Sequence, residues 1–315
     1  MSKKINILCT PDNKYAPYCG IMLTSLFENN KSFNIEVYIM CETLNSKNLK
    51  DIDLLSKHYN TKIHIIQVNN NTFKDCPIRT GDHISIAAYY RLIAADVLPD
   101  KLEKILYLDC DMIVDSNIKE LYDYDIENYA FGAIIDEDYL NGAKYERLKY
   151  DKSFSYINSG VILFNLEYWR KNRLAKKCLD YISEYPERIK FHDQDTLNAV
   201  LHKEMRLLPL KYNFQTGFLY KTRRLEQQFI DEIDESLHSP VIIHYTGANK
   251  PWYKDSKHPF TKRYMYFKNI SLWSDTPLLK EKTSFKEKMQ KLFAEIVWKL
   301  GIKKRPETYI IKSQN

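Results

Sequence analysis

The alternation of short apolar segments with longer amphipathic ones limits what this chain can fold into more than any other feature of its sequence. Apolar, β-branched segments predict strands at residues 4–9, 33–40, 62–68, 104–108, 129–135, 156–165 and 241–245. Helical spacing of apolar residues predicts helices at residues 17–30, 46–58, 84–97, 170–185 and 194–202. This order predicts an α/β fold with a mostly parallel central sheet flanked by helices. Such sheets bind ligands beyond the carboxyl ends of their strands.

The charge of the chain is concentrated at one end. Residues 261–315 carry 13 Lys and Arg against 5 Asp and Glu, so the body before them is nearly neutral although the net charge is +6. A nearly neutral body argues against a nucleic-acid partner. The length of 315 residues fits one α/β domain over residues 1–260 and a small, helical, basic extension over residues 261–315.

The extension contains an amphipathic stretch at residues 283–302. Its apolar stripe is formed by Phe285, Met289, Leu292, Phe293, Ile296 and Leu300. Lysines occupy many of the remaining positions, so the stretch could lie in an anionic membrane surface. The alternative is a helix that packs on the body of the protein and exposes a charged face.

The six cysteines are scattered and include no CxxC pair, which is typical of free thiols in a reducing compartment. The chain begins with an apolar stretch too short for a signal peptide, and no window reaches the length of a membrane-spanning helix. We therefore expect a cytoplasmic location, with the basic extension as the candidate for peripheral contact with the inner face of the membrane.

Two carboxylates end the strand predicted at residues 104–108. On an extended backbone, Asp109 and Asp111 project to the same side and can bind one cation while Cys110 points away. Oxygen ligands favour Mg²⁺ or Mn²⁺, which complete their shells with water and substrate phosphates. The alternative interpretation of this pattern is an acidic turn that caps a neighbouring helix.

A second polar cluster follows the last predicted strand. His244 can supply a nitrogen ligand, Gly247 allows the backbone to approach a phosphate, and Lys250 supplies a positive charge for one. By itself, His244 could equally be an ordinary packed histidine.

A third cluster lies where a helix is predicted to begin, at residues 192–195. Asp193 could act as the N-cap of that helix, with Asp195 near its positive end. The alternative is that Asp193 and Gln194 point a carboxylate and an amide into a cleft.

Taken together and in order, these segments resemble glycosyltransferase family 8, which includes bacterial lipopolysaccharide galactosyl- and glucosyltransferases and glycogenin. The resemblance runs from about residue 5 to residue 260, and it is carried by residues 9–15, 107–111, 157–161, 192–195 and 244–252. It implies a GT-A fold, a divalent cation, usually Mn²⁺, and a UDP-hexose donor. By the same resemblance, Asp109, Asp111 and His244 would bind the metal, and Gly247 and Lys250 the diphosphate.

The resemblance also implies the nucleotide contacts. Thr10, Asp12 and Tyr15 would bracket uracil and ribose, with Tyr15 stacked on the base. Lys14 stands where many family members have a small polar residue, which puts the ribose contact there in question. Arg91 would reach the donor sugar or phosphates, unless it is a surface arginine on its helix. Cys110 belongs to the same predicted donor site through its place in the acidic pair.

The sugar side of the site is implied in the same way. Asn158 and Ser159 would line it, Asp193 would bind sugar hydroxyls, and Asp136 would lie near donor or acceptor hydroxyls. Two routes retain the anomeric configuration. A covalent route needs Asp193 or Gln194 as the nucleophile, whereas in a same-face route the acceptor hydroxyl attacks as the diphosphate leaves. We favour the second route, in which the carbonyl of Gln194 stabilises the developing cation.

The predicted activity is metal-dependent transfer of galactose or glucose from a UDP-sugar to a glycan or a lipid-linked glycan, as in lipopolysaccharide biosynthesis. Two other functions fit parts of the pattern. A metal-dependent nucleotidyl or phosphoryl transferase would use the same acidic pair, lysine and arginine. A non-catalytic nucleotide- or glycan-binding protein on a transferase scaffold would be expected to have lost metal ligands.

Overall fold

The computed structural model describes residues 4–78, 85–221, 225–247, 249–280, 289, 292–293, 296–302 and 307. The strands are β1 Ile5–Cys9, β2 Ile35–Cys41, β3 Lys62–Gln67, β4 Lys104–Leu108, β5 Met112–Val114, β6 Phe131–Ile135, β7 Ile157–Asn165, β8 Met205–Leu207, β9 Phe214–Gln215 and β10 Ile242–His244. The α-helices are α1 Ala16–Asn29, α2 Ser46–His58, α3 Ala94–Val97, α4 Lys119–Asp123, α5 Gly142–Leu148, α6 Leu166–Asn172, α7 Leu174–Glu184, α8 His192–Leu201, α9 Gln227–His238 and α10 Thr261–Ile270. Short 3₁₀ segments lie at Asn70–Phe73, Ile86–Ile93, Pro186–Arg188, Leu210–Tyr212 and Thr216–Leu219.

The strands form two sheets. The main sheet has the order β3-β2-β1-β4-β7-β6-β8, in which β3, β2, β1 and β4 are parallel, β7 is antiparallel to both neighbours, and β8 is parallel to β6. A small second sheet has the order β5-β10-β9. The predicted α/β fold with a mostly parallel sheet is therefore confirmed.

Both faces of the main sheet are covered. In β1, Ile5, Ile7 and Cys9 pack with α1 on one face, whereas Leu8 packs on the other face against a core that includes residues of α7 and α8. Every residue of β1 and β2 is buried, which is why these strands are almost uninterrupted apolar runs.

Several predicted elements differ from the structure. The helix predicted at residues 84–97 is mostly a 3₁₀ segment, Ile86–Ile93, followed by the single turn of α3. Most of that segment is buried, so its apolar pattern does not distinguish a period of 3.6 from one of 3.0. The helix predicted at residues 170–185 is two helices, because Arg173 adopts a left-handed conformation with φ of +51° between α6 and α7.

Among the described elements, the sequence prediction also missed seven. They are β5, β8, β9, α4, α5, α9 and α10. The three strands have two or three residues each, too few to show a period. Helix α5 lies between the predicted strands at residues 129–135 and 156–165, in a stretch for which no helix was predicted.

The core continues beyond residue 260. Tyr264 and Phe267 of α10 and the following Trp273 belong to the same buried cluster as α1. The indole of Trp273 lies only 2.2 Å from where a Cβ on Gly20 would be, so α1 has a glycine where Trp273 docks. The domain boundary at residue 260 stays a proposal, and this packing argues for moving it toward residue 280. In the described part of the chain, no helix is long and apolar enough to cross a membrane.

Candidate active site

The acidic pair lies in the turn that joins the two sheets. Strand β4 ends at Leu108 and β5 begins at Met112, so Asp109 and Asp111 sit between them. Strand β10 pairs antiparallel with β5 and places His244 opposite Met112. His244 Nε2 lies 3.3 Å from Asp111 Oδ1 and 3.9 Å from Asp109 Oδ2. One ligand atom from each of the three residues fits within 4.8 Å of the others, a spacing that suits a single metal ion.

The contacts of His244 turn its Nε2 atom toward the two carboxylates, where it could bind a metal. The Nδ1 atom lies 2.9 Å from Oδ1 of the buried Asn213, whose Nδ2 donates to Asn158 Oδ1. Because Oδ1 of Asn213 can only accept, Nδ1 of His244 carries a proton, and Nε2 is the nitrogen that faces the two carboxylates and would bind a metal. Gly160 makes room for the ring, since a Cβ there would lie 2.4 Å from Cε1 of His244. These donor atoms fit Mn²⁺ or Mg²⁺.

Two cations flank the carboxylates. Lys250 Nζ donates to Asp111 Oδ2, and Arg91 Nη2 lies 2.9 Å from Asp109 Oδ1. Burial alone would raise the pKa of Asp111, but the charges of Lys250 and His244 outweigh it and hold this pKa well below its ordinary value. Arg91 is 4% exposed, so the interpretation as a surface arginine is wrong.

Asp193 lies on the far side of Arg91. Its Oδ2 is 3.2 Å from Arg91 Nε, and burial raises the pKa of Asp193 to about 6 although Arg91 opposes that shift. Asp193 does not act as the predicted N-cap of α8. Instead, Oδ2 of Asp195 accepts hydrogen bonds from the backbone N–H groups of Lys190 and Phe191.

Gln194 faces the same region from the first turn of α8. Its Nε2 donates to Asp136 Oδ2 at 3.1 Å, and its Oε1 accepts from Asn158 Nδ2 and from the backbone N–H of Ser159, both at 3.2 Å. The backbone oxygen of Ser159 in turn accepts from Arg91 Nη1. The structure therefore brings Asp136, Asn158, Ser159, Asp193 and Gln194 into one polar network beside the acidic pair.

The predicted nucleotide residues lie at the end of β1. Thr10 Oγ1 is 3.1 Å from the hydroxyl of Tyr107, which donates to Asp109 Oδ1 at 2.6 Å. Asp12 Oδ1 accepts from the backbone N–H groups of Lys14 and Tyr15, so it forms the turn that begins α1. The ring of Tyr15 is half-buried and lies close enough to Asp111 for this carboxylate, after burial itself, to raise the pKa of the phenol.

Trp252 lies beside the predicted nucleotide residue Tyr15. It stacks on Tyr18 with ring centroids 3.9 Å apart and meets Tyr15 edge-on at 6.2 Å. These contacts fix one edge of the Tyr15 ring. The sequence drew attention to Trp252 only as the end of a motif, and Tyr18 carried no signal.

The remaining predicted residues are Gly247 and Cys110. Gly247 has φ of +74° with open space around the position of a Cβ, as a backbone approached by a phosphate requires. The thiol of Cys110 contacts Cys19 of α1, and this contact and burial raise its pKa. Cys110 thus points away from the carboxylates, which leaves its backbone for the predicted donor contact.

The chain is similar to known proteins over most of its length. The family model described as glycosyl transferase family 8 matches residues 6–256. A lipopolysaccharide 1,2-glucosyltransferase of Escherichia coli is 30% identical over 89% of this chain and 83% of its own length. The general stress protein A of Bacillus subtilis is 28% identical over 86% of this chain and 95% of its own.

Among solved structures, the galactosyltransferase LgtC in complex with donor and acceptor sugar analogues superposes with a TM-score of 0.77. The match has 23% identity and covers 85% of this chain and 96% of that one. This likeness shows the fold, so the predicted GT-A architecture is confirmed.

Proposed function

Because the chain belongs to glycosyl transferase family 8, we propose that it is a metal-dependent, retaining transferase that moves galactose or glucose from a UDP-sugar to a glycan or lipid-linked glycan. The observation that carries this proposal is the convergence of Asp109, Asp111 and His244 beside Lys250 and Arg91. A ligand set for one divalent ion next to two buried or half-buried cations suits a diphosphate leaving group.

The metal and the two cations have one electrostatic task. Breaking the anomeric bond leaves negative charge on the departing UDP, and a bound Mn²⁺ or Mg²⁺ would supply Lewis-acid stabilisation of that charge. Asp109, Asp111 and His244 would hold the ion. Lys250 and Arg91 add positive charge from side chains that are only 14% and 5% exposed, and such interactions are stronger where side chains are buried.

The same-face route fits the charged groups around Asp193 better than the covalent one. In that route the bond between the anomeric carbon and the phosphate oxygen breaks, the acceptor oxygen bonds to that carbon, and the acceptor proton passes to the departing diphosphate. A covalent route would require Asp193 to leave its ion pair with the buried Arg91. Asp193 is better placed to accept hydrogen bonds from sugar hydroxyls, with the Gln194 dipole beside the reacting centre.

We also propose that the basic extension contacts an anionic membrane, where a lipid-linked acceptor would be found. Half of the predicted helix at residues 283–302, including Phe285, lies outside the described residues. The described members of its apolar stripe are Met289, Leu292, Phe293, Ile296 and Leu300, and they are 45–68% exposed. This exposure favours membrane contact over packing on the protein body.

The decisive experiment is a panel of UDP-, GDP- and CMP-sugars assayed with Mn²⁺. We expect release of UDP from UDP-galactose or UDP-glucose, and loss of that release in Asp111→Ala. Conversion of nucleoside triphosphates without sugar transfer would instead identify a nucleotidyl or phosphoryl transferase. Nucleotide binding with no turnover of any donor would identify a binding protein.

A further inference from the structure

Helix α5 places a buried lysine behind the polar network of the site. Lys144 is 6% exposed, its Nζ lies 2.7 Å from Asp136 Oδ1, and it lies over the ring of Tyr156 at 4.3 Å. Burying an ammonium group is costly unless it is paired, and here the pair is made with a carboxylate of the predicted sugar site. No sequence pattern pointed to Lys144.

Asp136 connects Lys144 to Gln194, because each of its carboxylate oxygens binds one of these two side chains. While Oδ1 of Asp136 binds Lys144, Oδ2 accepts from Gln194 Nε2 at 3.1 Å and from Asn158 Nδ2 at 3.3 Å. A carboxylate can only accept hydrogen bonds, so the atom of the Gln194 amide that faces it must be the nitrogen. The backbone N–H of Ser159 can only donate, so the atom that faces it must be the oxygen.

The orientation of the Gln194 amide is thus set by two groups together, the backbone N–H of Ser159 on the oxygen side and the Asp136 carboxylate on the nitrogen side. We propose that Lys144 is a positioning residue, which fixes the direction of the Gln194 amide through Asp136 and thereby supports sugar transfer. This inference rests on the proposed transferase function, in which Gln194 lies beside the reacting centre.

A second cation on the same helix has a different task. Arg147, three residues later, binds both carboxylate oxygens of Asp195, at 2.6 and 3.1 Å. That pair secures the start of α8, because Asp195 also accepts from two backbone N–H groups there. Since Arg147 anchors α8, Lys144 is not needed for that purpose, and its contact with Asp136 acts on the side chain of Gln194.

The test compares Lys144→Met with Lys144→Arg and with a matched control, Lys268→Met. Lys268 is 5% exposed on α10, and its Nζ donates to the backbone oxygen of Ser274. Without the ammonium group, the buried Asp136 loses its counter-charge and turns away, which lets the Gln194 amide rotate. We expect kcat to fall about ten- to a hundredfold in Lys144→Met, with the affinity for UDP and Mn²⁺ within about twofold of wild type.

Lys144→Arg should restore most of kcat because it keeps the charge, and Lys268→Met should leave kcat unchanged. If Lys144→Met lost kcat and UDP affinity to the same degree and also folded less well, the role of Lys144 would be purely structural. That result would overturn the proposal. So would a wild-type kcat in folded Lys144→Met.

A readout that does not need turnover separates this inference from the proposed function. The side-chain amide signals of Gln194, assigned by their loss in Gln194→Glu, should report a proton bound to a carboxylate in ¹⁵N-labelled wild type and lose that signature in Lys144→Met. Unchanged amide signals would overturn the role of Lys144. If the wild type turned over no sugar donor while these signals changed as expected, the transferase proposal alone would fail.

Discussion

At the scale of single residues, the site depends on a very close approach between β7 and His244, one of the three proposed metal ligands. A Cβ at Gly160 would lie 2.4 Å from Cε1 of His244 and 2.8 Å from Cε of Met112. Both neighbours belong to paired strands of the second sheet, so neither backbone can move away freely. The glycine is therefore required by the position of the imidazole ring and not by its own backbone angles.

Gly160→Ala should displace the His244 ring and weaken Mn²⁺ binding about tenfold or more, since supporting contacts of metal ligands typically have effects of this size. Titration of Mn²⁺ followed by electron paramagnetic resonance would measure it. Gly142→Ala is the matched control, because nothing lies within 4 Å of the Cβ it would add. Wild-type Mn²⁺ affinity in folded Gly160→Ala would show that His244 is not a ligand.

A carboxyl group away from the site predicts how stability depends on pH. Burial raises the pKa of Asp115 to about 6, although Arg263 opposes the shift. The folded protein therefore binds this proton more tightly than the unfolded chain, whose aspartates titrate near pH 4. The resulting stabilisation is present below about pH 4 and is lost as the pH rises through 6.

Asp115→Asn should thus raise the free energy of unfolding by about 2 kcal/mol at pH 7.5 and leave it nearly unchanged at pH 4. Urea denaturation at the two pH values would measure the difference. The exposed Asp255 provides the control substitution, for which we expect no such difference. An equal effect of Asp115→Asn at both pH values would contradict the prediction.

At the scale of elements, α10 and the segment after it behave as part of the catalytic body. Trp273 is 3% exposed and packs its indole against Gly20 of α1. Helix α1 also carries Tyr18, whose ring stacks on Trp252 next to the predicted nucleotide site. The C-terminal segment therefore supports the helix that follows the predicted nucleotide-binding turn.

Trp273→Ala should destabilise the protein by about 3 to 5 kcal/mol, the usual cost of truncating a buried tryptophan. Thermal or urea unfolding would measure this change. Leu272→Ala, at a neighbouring position that is 47% exposed, should change stability by less than about 0.5 kcal/mol. A similar small effect at both positions would mean that residues 261–273 do not belong to the folded core.

At the scale of the whole molecule, the nearly neutral body and the basic extension have separate tasks in our proposal. Removing the residues after 280 should leave the fold and UDP release from a soluble donor intact, while binding to vesicles that contain anionic lipid falls at least tenfold. Co-sedimentation with anionic and with neutral vesicles would measure this. Equal binding of the shortened and full-length chains would argue against membrane contact by the extension.

A double substitution that keeps every charge tests whether the apolar side chains of the extension, and not only its lysines, contribute to membrane binding. Phe293 and Leu300 are each 68% exposed, and Phe293→Ser with Leu300→Ser keeps every lysine of the extension. We expect this pair to weaken vesicle binding and to leave unfolding unchanged, because both side chains face solvent. A loss of stability would instead indicate that the extension packs on the body.

The sequence by itself determined the order of most strands and helices, because the buried parallel strands must be continuous apolar runs whatever surrounds them. It also indicated the acidic pair, since Asp109 and Asp111 are neighbours on one extended strand end. The resemblance then supplied His244, Lys250 and Arg91, which no local pattern would have joined to that pair.

Only the tertiary structure decided which other residues support the site. Gly160, Asn213 and Lys144 lie on three separate segments, and their importance comes from contacts with His244, Asn158 and Asp136 that exist only in the folded chain. Local periodicity reports which side of an element is buried, whereas the neighbour of a buried group is set by how strands and helices pack. For that reason the proposed metal ligands could be named from the sequence and its resemblance to the family, while the residues that orient them could not.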